Sequence, residues 1–148
     1  MAGLSERFIK AGFTLPKYML YVGNKSLFNL SVSSFSKYFD QHKFLFIARE
    51  IFDTKRFIED ECNLLGINNY EIIILDKPTR GQAESVYLGL SKSTIKSDEP
   101  ITVFNIDTFR PGFQFPEGIS NWDGYLEVFF GEGPNWSYAR TAPPESTQ

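Results

Sequence analysis

Three apolar runs of strand length, separated by two stretches of helical spacing, constrain this chain more than any other feature. The runs are 43–48 (KFLFIA), 70–75 (YEIIIL) and 101–105 (ITVFN). They are almost continuously apolar rather than alternating, which suits a sheet covered on both faces. Strands that alternate with helices imply parallel pairing in an α/β fold. Between the first two runs, Asp53 or Thr54 can cap a helix carrying Phe57, Ile58, Cys62 and Leu65, with Gly66 just past its end. Between the second and third, Gly81-Gln82 opens a helix with Ala83, Val86, Tyr87 and Leu90 on one face.

The flanks are less regular. An apolar stretch over 18–23 closes on the turn pair Gly23-Asn24, and Ser26 can cap a helix over 26–39 that carries Leu27, Leu30, Phe35, Tyr38 and Phe39. Residues 108–121 hold two prolines and two glycines and read as a loop. A strand is expected at 125–130 and a short one at 136–140, while 141–148, with two prolines and no apolar period, read as a disordered tail. The 148 residues thus read as one domain over 1–140 plus that tail. With 15 phenylalanines, the core is expected to be rich in aromatic rings.

Bulk properties narrow the function classes. A net charge of −3 gives no basic footprint for nucleic acid. No apolar run approaches the roughly 20 residues that span a bilayer, so no membrane partner is expected. Cys62 has no second cysteine to pair with, which fits a reducing compartment, and no charged-then-apolar leader opens the chain. A cytoplasmic protein is the expectation. His42 reads as a surface residue without a role, and Trp122 and Trp136 as core or rim packing.

Cysteine and histidine clusters are lacking, so chemistry on phosphates is the reading that the remaining polar residues favour. In an open parallel sheet, ligands bind beyond the carboxyl ends of the strands. The segment Thr79 to Gln82 follows the second run and Asp107 follows the third. Near the start of the chain, the turn Ala2-Gly3-Leu4-Ser5-Glu6-Arg7 and the pair Pro16-Lys17 can offer backbone N–H groups and two cations to a polyphosphate.

These segments, in this order, resemble the sugar-phosphate nucleotidyltransferases, the pyrophosphorylases that make activated sugars and related nucleotide conjugates. The likeness rests on the glycine turn ending in Arg7, on Pro16-Lys17, on Gly81-Gln82-Ala83 and on Asp107 in Phe104-Asn105-Ile106-Asp107, and it extends over nearly all of 1–140. Within the family, the bacterial capsule and surface-polysaccharide group is the nearest in character. The resemblance implies an α/β, Rossmann-like (GT-A type) three-layer sandwich with a mostly parallel central sheet. It implies an N- and C-terminally incomplete chain, with the first strand missing or very short and a homodimer as one way to cover the open sheet edge.

The same resemblance assigns roles. Arg7, Lys17 and Asp107 are the implied catalytic residues, with Asp107 holding Mg²⁺. Ala2, Gly3, Leu4, Arg7, Lys17, Gly81 and Gln82 are the implied nucleotide-binding residues. A nucleoside triphosphate and a phosphorylated small-molecule acceptor are the implied partners. The chain departs from the family turn at Ser5 and Glu6, which stand where a second glycine and then Ser or Thr are usual. Two alternatives stay open. A glycosyltransferase of the same sheet type usually carries Asp-x-Asp, whereas Asn105-Ile106-Asp107 has one carboxylate at that spacing. A non-catalytic nucleotide-binding domain fits the missing second metal ligand.

Overall fold

A computed structural model describes Met1, Phe8, residues 10–133 and residues 138–140. The chain divides into two units, Met1–Gln114 and Phe115–Gln148.

In the first unit, Pro16 precedes a short 3-10 turn, Lys17–Met19, that buries Tyr18 and Met19. Strands β1 (Tyr21–Val22) and β2 (Lys25–Ser26) then pair antiparallel around the expected Gly23-Asn24 turn. Ser26 caps helix α1 (Leu27–Val32), its Oγ accepting from the Asn29 backbone N–H at 2.9 Å. Strand β3 (Phe44–Arg49), helix α2 (Thr54–Leu65) and strand β4 (Tyr70–Leu75) form a β-α-β unit, followed by helix α3 (Gln82–Lys92). The two strands run parallel, in register from Phe44 opposite Tyr70 to Arg49 opposite Leu75. Gly66 ends α2 in the left-handed region at φ 75°, where a residue without Cβ is favoured.

Aromatic rings supply much of the core, as expected from composition. Phe28 is fully buried and meets Phe46 at 5.1 Å and Phe57 edge-on at 5.8 Å. Phe35 meets Phe104 edge-on at 4.6 Å and Phe113 at 5.0 Å. Glu61 of α2 is buried, and its carboxylate accepts from Ser26 Oγ at 2.7 Å and Asn29 Nδ2 at 3.0 Å, which ties α1 to α2. On the other side of β3, α3 approaches very closely at Gly89. A Cβ there would lie 2.2 Å from Ile47 Cδ1.

Three expectations are corrected. The helix over 26–39 stops at Val32 and continues as a 3-10 segment, Ser33–Tyr38, with Phe35 outside helical geometry at φ −101° and ψ 18°. Serines cause the break by bonding outside the helix: Ser31 Oγ donates to the Asn105 carbonyl and Ser34 Oγ accepts from the Arg110 N–H. Asp53 occupies the cap position of α2 but makes no side-chain cap bond, and with Phe52 it takes a left-handed backbone. Thr54 Oγ1 holds that loop instead, through the Ile51 carbonyl and Tyr18 Oη. Residues 101–105 form no ladder, and among the described residues the sheet around β3 has two strands. Ile101 and Val103 are accordingly about half exposed, because an extended run without a neighbouring strand has nothing to bury its faces against.

In the second unit, residues 125–130 form no strand either, and Leu126, Val128, Phe129 and Phe130 are exposed. Gly118 at φ 74° leads into a 3-10 turn, Ile119–Asn121, and the rings of Trp122 and Tyr125 lie 6.0 Å apart. Tyr138 Oη donates to the Gly133 carbonyl. The expected tail at 141–148 and the first two residues of the expected strand at 136–140 lie outside the described residues, and 138–140 form no strand.

Two measurements check this packing. Gly89→Ala improves helix propensity by about 1 kcal/mol but forces Ile47 aside, so a net loss of about 1–2 kcal/mol is expected in denaturant unfolding. In an Ile47→Ala background the sign reverses, and the same substitution becomes stabilising; equal effects in both backgrounds would refute the contact. At the other end of the strands, Lys43 Nζ and then Thr94 donate to Glu71 and hold its carboxyl below the usual range. A carboxyl lowered in the folded state contributes stability above its unfolded pKa and loses it as pH falls through the folded value. Glu71→Gln therefore flattens the acid limb of the stability curve below about pH 4.5; an unchanged acid limb rejects the assignment.

Candidate functional site

Parallel pairing directs the carboxyl ends of β3 and β4 to one edge of the sheet, and the chain leaves that edge through loops that end at α2 and α3. Residues of three separate segments meet there. Pro16 fixes the backbone before the 3-10 turn, and its carbonyl accepts from the Met19 N–H at 2.9 Å, so the turn starts with Lys17 at a defined point. Tyr18 and Met19 anchor that turn in the core and leave Lys17 partly exposed. Lys17 Nζ donates to Asp107 Oδ2 at 2.7 Å, although 90 residues separate them in sequence. The side chains are 28% and 47% exposed, so the pair sits at the surface and is open to exchange with solvent and ligands.

Asp107 is held by its own turn. The Thr108 N–H donates to the Asn105 carbonyl at 3.1 Å, and Ser31 Oγ donates to the same carbonyl at 3.2 Å. Phe104, stacked edge-on against Phe35, fixes the residue before. The segment is thus tethered by side chains at its carboxyl end, without a strand ladder. Met1 lies close by. Its α-amine donates to the Ile47 carbonyl of β3 at 2.9 Å, and burial, followed by the Lys17 ammonium, pushes its pKa down to about 6 against the pull of Asp107.

The second cluster lies at the start of α3. Gln82 Nε2 donates to Asn105 Oδ1 at 2.6 Å, so the first residue of the helix and the carboxyl end of the 101–105 segment are joined. Gly81 precedes it with extended backbone, and any residue could adopt its angles. Its side-chain-free Cα faces open space, since a Cβ there would touch nothing within 4 Å. An apolar trough runs from Gln82 past Ala83, Val86, Tyr87, Leu90 and Val103. Thr79 Oγ1 and Ser85 Oγ share a hydrogen bond, and Glu84 accepts from the Arg80 N–H and Nε, which fixes the loop before the helix.

Of the sequence-predicted residues, Lys17 and Asp107 are in direct contact, and Gln82 reaches Asp107's turn through Asn105. Gly81 adjoins Gln82. Ala2, Gly3, Leu4 and Arg7 lie outside the described residues. Asn105 entered the sequence reading only as a non-acidic neighbour of Asp107. No local pattern marked it, and its part shows only in the contact with Gln82. Among the described residues there is no group of three or more His, Cys, Asp or Glu able to hold a metal ion. Mg²⁺ needs no such cage, because it is held by one or two carboxylates together with phosphates and waters. Asp107 fits that donor set.

No family model matches the chain, and no curated protein matches it. Over 99% of its length it is similar to the crystal structure of the nucleoside-diphosphate-sugar pyrophosphorylase from Vibrio cholerae RC9, at 51% identity and a TM-score of 0.89. The two share a fold. The chain spans 60% of the length of that protein. This likeness supports the general family that the sequence resembles, and a nucleotidyltransferase-like fold with a small parallel sheet. Among the described residues no helix is long and apolar enough to cross a membrane.

If the ion pair serves a ligand rather than the fold, removing it has little structural cost. Asp107→Asn is expected to change unfolding stability by less than about 1 kcal/mol, as for exposed pairs generally. A larger loss in denaturant melts would make the pair a structural clasp.

Proposed function

We propose that this chain is the nucleotide-binding part of a nucleotidyltransferase that joins a nucleoside triphosphate to a phosphorylated sugar or similar acceptor. The observation that carries the reading is the Lys17–Asp107 contact at the strand-end rim, with Gln82 joined to the same turn. The 51% identity to a nucleoside-diphosphate-sugar pyrophosphorylase supports the substrate class.

In this reaction a phosphate oxygen of the acceptor bonds to the α-phosphorus as the bond to the β-phosphate bridging oxygen breaks, and pyrophosphate leaves. Such a displacement needs alignment and charge neutralisation rather than a protein nucleophile. Lys17 neutralises charge on the α-phosphoryl oxygens and the incoming phosphate, and Arg7 grips the β and γ oxygens with its forked donors. Backbone N–H groups of Ala2, Gly3 and Leu4 line the phosphates. Asp107 is the residue that would hold Mg²⁺, which when bound would supply further neutralisation of the triphosphate. Gln82 offers an amide to the base edge, and Gly81 lets the base approach the backbone. The Lys17–Asp107 pair is the resting arrangement. With substrate present, Lys17 would meet phosphate and Asp107 is the residue that would hold the cation, so neither charge would be left bare.

The reading also puts the chain in the cytoplasm, in supply of precursors for bacterial surface polysaccharide, and expects a second copy to cover the open edges of the small sheet. A sedimentation profile that stays monomeric at high concentration removes the dimer.

The test is calorimetry of the chain with each common nucleoside triphosphate and MgCl₂, followed by pyrophosphate assays with a panel of sugar phosphates. One triphosphate binds, and Lys17→Ala weakens that binding about tenfold or more, in line with loss of a charge-assisted bond. Binding of no triphosphate, or binding indifferent to Lys17→Ala, rejects the site. Binding with no pyrophosphate from any acceptor leaves a nucleotide-binding domain and rejects the transferase.

A further inference from the structure

We infer that Asn105 is a positioning residue that sets nucleobase selectivity by fixing the amide of Gln82. The inference rests on the nucleotide-binding reading of the site and goes beyond it, because nothing in that reading gives Asn105 a task.

Gln82 is exposed at the first position of α3, where a long side chain is ordinarily free to rotate. A freely turning amide is a poor reader of bases, because its donor and acceptor ends can exchange places and pair with several edges. Here one end is held. Asn105 Oδ1 accepts from Gln82 Nε2 at 2.6 Å, which turns the nitrogen end of the Gln82 amide toward Asn105 and leaves Oε1 as the acceptor at the other end. A second N–H remains on Nε2. An oriented acceptor beside a single remaining donor favours some base edges and leaves others with facing acceptors or donors.

The holder is itself held. The Asn105 carbonyl accepts from Ser31 Oγ and from the Thr108 N–H, so its backbone is tied both to α1 and to the turn that carries Asp107. One residue, Ile106, separates Asn105 from Asp107, a span of about 7 Å at most between their Cα atoms. The side chain of Asn105 therefore couples the base-facing amide to the phosphate-facing pair through a short tether. Replacing it loosens the amide without touching Lys17 or Asp107.

The experiment measures calorimetric Kd values of the full chain for ATP, CTP, GTP, UTP and dTTP with MgCl₂. It compares wild type, Asn105→Ala and Asn105→Asp. In parallel, the Gln82 side-chain amide resonances are followed by NMR without nucleotide. The wild type prefers one base. Asn105→Ala cuts the ratio between the best and second-best triphosphate about tenfold, the worth of one hydrogen bond, and shifts the Gln82 amide signals. Asn105→Asp keeps an acceptor at the same place and restores the ratio, even if its added charge weakens all five ligands alike. Equal weakening of all five by Asn105→Ala, with the ratio unchanged, overturns the inference and leaves the nucleotide site standing. Failure of Asn105→Asp to restore the ratio also overturns it. A wild type that binds none of the five sinks the site reading and this inference together.

Discussion

Parallel pairing of β3 with β4 is the constraint on which the rest of the first unit depends. It requires a crossover, and α2 supplies it. It also puts both strand exits at one edge, so the loops that follow must begin from a common rim. The register from Phe44–Tyr70 to Arg49–Leu75 then determines what lies on each face. Phe46 faces the aromatic cluster with Phe28, while Ile47 meets α3 at Gly89. That close approach draws α3 down on the strand and brings its first residue, Gln82, within hydrogen-bond reach of Asn105. A position far along the helix thus helps determine where the candidate site opens.

Electrostatics at the rim follow a different logic from the interior. Glu61 is buried and needs both Ser26 and Asn29, since an unpaired carboxylate there would carry a heavy desolvation cost. Lys17 and Asp107 are half in water, so their attraction contributes little to folding. An exposed pair of opposite charges is a reversible arrangement.

What could be read from the sequence was local or periodic. The β-α-β unit was legible because apolar runs of six residues and a 3.6-residue repeat ended at Gly66 are strong signals. Ser26 as a cap and Gly23-Asn24 as a turn were legible from side-chain chemistry alone. The helix at 26–39 was misread because serines at 31 and 34 found tertiary partners, Asn105 and Arg110, that no local rule contains. Residues 101–105 and 125–130 have strand composition, yet pairing is a property of a neighbour and not of the run itself. At the site, resemblance singled out Lys17 and Asp107, and the structure brings the two into contact. Asn105 stayed unmarked, because an asparagine two residues from an acid carries no signal until the amide of Gln82 is found against it.

The tethering of 101–107 follows from the same absence of a ladder. A strand in a sheet is positioned by a row of backbone bonds, each of which can be lost with little displacement of the rest. Here the segment hangs from the Phe35–Phe104 contact, the Ser31 bond to the Asn105 carbonyl and the bond of Asn105 to Gln82. Each anchor then has a larger share in fixing the segment, and Asn105 takes part in two of the three, once through its carbonyl and once through its side chain. Side chains that would be redundant beside a paired strand become determinants of where this segment lies, and a neutral residue such as Asn105 then carries more of the local geometry than its position in the sequence suggests.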